Sequence, residues 1–117
     1  MTQLKHIPEN LENLLSERIK YLYEYQLQHQ LRGISYQIFD NKLMMTIEGA
    51  VTPTEQILND TSQEELAKKV RAAFDEIIQP QIKQIIEEVF GLNVVDFLSD
   101  TTIHTSRTAI IAIFQLK

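Results

Sequence analysis

Cysteine and tryptophan are absent from this 117-residue sequence, and glycine and proline occur only three times each. Without cysteine there is no disulfide framework, no thiolate nucleophile and no thiolate metal site. The three glycines, Gly33, Gly49 and Gly91, stand far apart, which excludes a glycine-rich phosphate loop. Basic residues are scarce: 11 Lys and Arg face 16 Asp and Glu, for a net charge of −5. Nucleic acid and anionic lipid both demand the opposite balance, so neither is an expected partner. Long apolar runs are missing as well. The longest, Ala109 to Phe114, has six residues where a membrane-spanning helix needs ~20. The stretch from Met1 to Leu15 lacks the continuous apolar region and small-residue cleavage site of a signal peptide. The expectation is a cytoplasmic protein that does not insert into membranes and reaches them only through another polypeptide.

What the chain does have is enough apolar character, 44%, to fill the core of one domain over residues 1–117. Residues 1–7 are expected to be loose. From Pro8 to about Leu31, Leu11, Leu14, Leu15, Ile19 and Leu22 recur at helical spacing, and Gly33 is a natural stop. Tyr21, Tyr23 and Tyr25 diverge by about 200° from one to the next, so at least one faces outward. Ile34 to Phe39 and Leu43 to Val51 read as a hairpin around Asp40-Asn41-Lys42. Thr52-Pro53-Thr54-Glu55 carries the pattern of a capping box and opens a short helix to about Asn59.

A longer helix is expected from about Ser62 to Phe90, with Thr61 and Ser62 available as caps. Its apolar stripe keeps phase across Pro80, which predicts a kink near Glu76 to Gln79 and not a break. Gly91 ends it. Leu92 to Leu98 and Thr108 to Leu116 read as a second strand pair joined by a polar loop, Ser99 to Arg107. In the last strand Ile110, Ala112 and Phe114 face one way and Ala109, Ile111 and Ile113 the other. Both faces are apolar, which predicts a central strand covered on each side. The fold class is α+β, in the order helix–hairpin–helices–hairpin. Its four-stranded, mainly antiparallel sheet is packed by the long kinked helix and the N-terminal helix.

Chemistry-bearing groups are sparse. His6, His29 and His104 are too far apart in sequence for zinc-like spacing, so no metal or other cofactor is expected. Neighbouring acids such as Glu64-Glu65 and Glu87-Glu88 diverge on a helix and read as solvated faces, not acid/base dyads. Glu48 is expected to pair with Arg71 or Lys68 as a structural ion pair. In the polar loop, Asp100, His104 and Arg107 have the chemistry to converge on a small anion or a partner carboxylate, although loops are polar simply because they are wet. A minor enzyme built on Asp100 and His104 would require a hydrogen bond between them beside an open cleft. No catalytic residue is assigned.

Two stretches carry a family resemblance. Leu43 to Val51, running into Glu48-Gly49-Ala50-Val51-Thr52-Pro53-Thr54-Glu55, resembles an apolar strand followed by an EG-x-x-TP-x-E turn. Val94-Val95-Asp96-Phe97-Leu98-Ser99-Asp100-Thr101, with the apolar last strand, resembles the C-terminal half of the same family, and Arg71-Ala72-Ala73-Phe74 fits its R-x-x-F. The family is the MpsC-like one, named after a component of a sodium-translocating, membrane-potential-generating system. The loop Thr101 to Arg107 departs from many members, which carry more acids and often a proline there.

The resemblance implies a soluble accessory role beside a membrane ion-transport complex, and the lack of a catalytic constellation among the residues makes the expected role non-catalytic. The alternative is a small-ligand or anion-binding sensor. Candidate ligand or partner contacts are Glu48, Thr52, Arg71, Asp100, His104 and Arg107. Surplus apolar surface predicts a homo-oligomer, a dimer first, through Leu11, Leu15, Ile19, Tyr21, Leu22 and Tyr25.

Overall fold

The computed structural model describes residues 7–116. Its elements follow the expected order: α1 (Glu9–Leu27), β1 (Gly33–Phe39), β2 (Lys42–Glu48), α2 (Pro53–Asp60), α3 (Glu64–Phe90), β3 (Val94–Thr102) and β4 (Arg107–Phe114). The four strands form one antiparallel sheet in the order β1-β2-β4-β3. The fold is α+β. Of the leader expected to be loose, Ile7 packs against the core; residues 1–6 lie outside the described residues.

Several boundaries moved for physical reasons. Helix α1 stops at Leu27, four residues short of the expected end, because Gln28 takes the left-handed conformation (φ 51°) and caps it. Gly33 instead opens β1. Helix α3 begins at Glu64, and Ser62 lies in a left-handed turn (φ 65°) without capping it; the cap position is Gln63, which makes no side-chain cap bond. Pro80 does not end α3. One turn around it the Ile77 carbonyl accepts a 2.7 Å hydrogen bond from the Gln81 side chain, an alternative partner in the region that Pro80 crowds. The largest shift is in β3, which runs on through Ser99, Asp100, Thr101 and Thr102. Much of the predicted polar loop is therefore strand, and the turn is only residues 103–106. It is polar because β3 is an edge strand, open to water along one side.

The core lies between the sheet and the helices. Leu15, Ile19, Leu22 and Tyr23 of α1 and Ile78, Ile82, Ile85 and Ile86 of α3 meet Leu43, Met45, Ile47, Ile110, Ala112 and Phe114 of the sheet. Leu15, Ile19 and Leu22 were expected on a self-association surface, and this placement corrects that. Their stripe at three- and four-residue steps is the one that the fold uses for its own core. Strand β4 is central, as its composition implies, but the helices cover only one of its faces. The shortest extent of the chain, 20 Å, is the depth of one sheet and one helix layer. There is no third layer among the described residues.

Burial of two tyrosines predicts an alkaline limit to stability. Burial pushes the Tyr23 phenol up to about 12, with Arg71 opposing it. Tyr36 is also pushed up to about 12 by burial, against its hydrogen bond with Ser16. A phenol whose folded pKa exceeds its unfolded value of ~10 stabilises fully below pH ~10 and loses that contribution as pH climbs through the folded value. Stability should therefore be flat in this respect up to pH ~10 and fall between pH ~10 and 12. For Tyr23 the fall is on the order of 2–3 kcal/mol. Tyr23→Phe should remove the Tyr23 share and leave that of Tyr36 in urea titrations at pH 8 to 11.5, and an unchanged slope would contradict the assignment.

Candidate functional site

The capped turn that follows β2 is the most constrained part of the chain. Gly49 takes φ 73°, a left-handed value, and a Cβ there would come within 3.0 Å of the Arg32 backbone nitrogen. Only glycine suits this position. Thr52 then caps α2: the Glu55 amide donates to its hydroxyl, while the Thr52 amide and hydroxyl both donate to Glu55 Oε2 at 2.9 Å. The box forms as the sequence pattern predicts. It has a further component, however, that local pattern does not reveal.

Arg71 of α3 reaches the same carboxylate. Its Nε donates to Glu55 Oε1 at 2.7 Å and its Nη2 to Oε2 at 2.8 Å, a two-pronged pair between side chains only 8% and 0% exposed. Nη2 also donates to the Ala50 carbonyl (3.1 Å) and Nη1 to Asp75 (3.2 Å), and the guanidinium sits 5.9 Å from the Phe74 ring centre. Burial opposes the charge on Arg71, but its bonds with Glu55 and Asp75 outweigh burial and hold its pKa above the ordinary arginine value. Burial likewise raises the Asp75 pKa, with Arg71 pulling the other way. Among the described residues no buried side-chain polar atom lacks a partner. The cluster is closed electrostatically and holds α2, α3 and the β2–α2 turn together.

The β3–β4 turn is fastened to the same place. The Ala50 amide donates to the Ser106 carbonyl (2.9 Å), the Val51 amide to the Ser106 hydroxyl (3.0 Å), and the Gln56 side chain to the Ile103 carbonyl (3.0 Å). Beside these bonds a cleft of about 560 Å³ opens, lined by Asn59, Lys68, Arg71, Asp75, Asp100 and His104, among others.

The sequence-based candidates thus divide. Arg71, Asp100 and His104 border one cleft. Thr52 is buried in the cap and does not line the cleft. Glu48 and Arg107 pair with each other at 2.8 Å on the opposite face of the sheet. The expected Glu48–Arg71 or Glu48–Lys68 pair does not form: strand alternation turns Glu48 away from the helices, and Lys68 sits 3.7 Å from Glu65. Asp100 accepts from the Thr101 amide (2.9 Å) and makes no hydrogen bond to His104. Among the described residues no group of three or more His, Cys, Asp or Glu is arranged to hold a metal ion.

The turn and the arginine carry two of the sequence signatures, EG-x-x-TP-x-E and R-x-x-F, now in contact through Glu55 and Arg71. A family model described as "Na+-translocating membrane potential-generating system (MpsC)" matches residues 8–116. The chain belongs to the MpsC family. No curated protein and no solved structure matches it. No described helix of this MpsC-family chain is long and apolar enough to cross a membrane.

Two sets of residues escaped the sequence reading. Glu55 as partner of Arg71 left no local signal, because that pair spans 16 residues and two helices, whereas Asp75 lies four residues along the same helix, a pairing distance the sequence does display. The second set is the face of the sheet turned away from the helices. Leu98 (58% exposed), Phe39 and Ile111 (38%) lie open there, with Met44 and Ile113 half-buried. Its signal was visible in the alternation of β2 and β4. On α1, Tyr21 and Tyr25 are exposed and stacked on each other, with ring centres 5.8 Å apart, and Leu11 is half-buried.

Proposed function

We propose that the protein is a non-catalytic, cytoplasmic accessory subunit that acts through protein–protein contacts within the membrane-potential-generating system for which its family is named. One observation supports this reading above the others: the apolar centre of the sheet is left uncovered by the chain's own helices. Exposed large apolar side chains gathered on one face mark contact surfaces more often than isolated ones do. The closed Glu55–Arg71–Asp75 cluster suits a rigid support for such a surface, because nearly every donor on Arg71 is already engaged.

The decisive experiment is genetic complementation with a voltage-sensitive dye. Cells lacking this protein should lose sodium-dependent membrane potential, and the unaltered chain should restore it. Leu98→Lys should fail to restore it while remaining folded, since Leu98 is exposed between Asp96 and Asp100. Full potential in cells without the protein would overturn the reading.

The sensor alternative has one observation in its favour, the cleft bordered by Lys68, Asp75, Asp100 and His104. An anion is a poor occupant, because Asp75 and Asp100 contribute negative charge and Arg71 is already paired. A rise in melting temperature with small anions, absent in Lys68→Ala, would favour the sensor.

A further inference from the structure

The open face of the sheet has a regular arrangement. Antiparallel register sets its side chains in four cross-strand rows: Phe39–Lys42–Ile113–Asp96, Gln37–Met44–Ile111–Leu98, Ser35–Thr46–Ala109–Asp100 and Gly33–Glu48–Arg107–Thr102. The first two rows hold the large apolar side chains, and the last two are small or polar. The large apolar side chains therefore gather toward one end, beside Lys42 and Asp96, while Glu48 and Arg107 sit at the other, with β2 and β4 down the middle.

We infer that this face is a homodimer interface, formed with a second copy of the chain about a two-fold axis that runs along the strands between β2 and β4. The inference rests on the contact-based function proposed above and gives that function its first partner. Face-to-face sheets pack about 10 Å apart with strand directions within about 30° of each other. An axis along the strands brings each row against the same row of the other copy, with β2 over β4. Met44 then meets the partner's Ile111, and Thr46 meets the partner's Ala109. Glu48 meets the partner's Arg107, so the Glu48–Arg107 pair within each copy extends into a four-charge group across the axis. No like charges face one another: Lys42 lies over the partner's Ile113, and Asp96 over the partner's Phe39.

The alternative axis, across the strands, sets apolar rows against polar ones. It would set Met44 on the partner's Thr46, Ile111 on the partner's Ala109 and Leu98 on the partner's Asp100, so that, although Lys42 would meet the partner's Glu48, no two large apolar side chains would face each other. Matching of the large apolar side chains thus selects one symmetry. Size agrees with a dimer. Four strands of about seven residues cover roughly 19 × 24 Å, and side-chain relief brings this into the ~600–1,000 Å² per copy of a specific dimer.

Sedimentation equilibrium at micromolar concentration should give the mass of a dimer. Ile111→Lys should weaken association by at least ~100-fold, and Leu98→Lys, at an exposed site, should weaken it less. Far-UV circular dichroism confirms that each variant remains folded. The absence of cysteine permits a clean mapping. Ala109→Cys, beside the axis, should be cross-linked between copies by a bis-maleimide of roughly 10 Å reach. Leu14→Cys, on the far side of α1, should not. A monomer at all concentrations would overturn the inference, as would a dimer that survives Ile111→Lys and links through Leu14→Cys. A monomeric protein that still restores membrane potential would overturn only the dimer and leave the accessory role intact.

Discussion

Arg71→Ala is expected to destabilise the protein by about 3–5 kcal/mol, the usual consequence of removing one partner from a buried ion pair. The magnitude follows from what remains behind. Glu55 has no exposed surface, and its two strongest partners at 2.7 and 2.8 Å are both on Arg71. Alanine leaves that carboxyl with only the Thr52 amide and hydroxyl, and it also strips the Ala50 carbonyl and Asp75 of a donor. For a domain of this size the loss corresponds to a melting temperature lower by roughly 10–20 °C. Because the chain has no tryptophan, unfolding is best followed by far-UV circular dichroism in urea. The paired replacement Glu55→Gln with Arg71→Met should recover part of the loss, since it removes both charges together. A single-variant effect under about 1 kcal/mol would mean that the pair does not form in solution.

The second large effect separates core from surface on α1. Ile19→Ala should lower stability by about 2–5 kcal/mol through lost transfer energy and a residual cavity. Ile19 is completely buried against the sheet, in the cluster that includes Ile82, Ile86 and Phe114. Tyr21→Ala and Tyr25→Ala, at positions 64% and 69% exposed, should change stability by no more than about 0.5 kcal/mol. Urea midpoints measured on all three variants test the division. If Ile19→Ala is silent in stability but changes the association state, α1 is an interface and the packing described above is wrong.

The same contrast shows how sequence and structure divide the information. Periodicity marked Leu15, Ile19 and Leu22 as one apolar stripe, but a stripe has no label for what covers it. The helix has one apolar side and two available partners, its own sheet or another copy, and both demand the same spacing. Only the crossover through α2 and α3, which brings β4 beside β2 and lays the helices on a single face, assigns that stripe to the core. The site divides in the same way. Thr52-Pro53-Thr54-Glu55 was legible because a capping box is completed within four residues. Arg71 was singled out as a partner for Glu48 and by the resemblance, and its true partner Glu55 was hidden because long-range pairing leaves no periodic trace.

By itself, the sequence determined the order and type of the elements, the hairpin at Asp40-Asn41, the cap at Thr52 and the central place of the last strand. Each follows from interactions among residues near in the chain or from a repeat of two or 3.6 residues. Tertiary structure alone decided the union of Glu55 with Arg71, the continuation of β3 to Thr102 and the division of Glu48 and Arg107 from the cleft. It also decided which face of the sheet stays open. Those outcomes depend on which surfaces meet when the layers pack, and burial between distant segments has no local signature for a linear reading to detect.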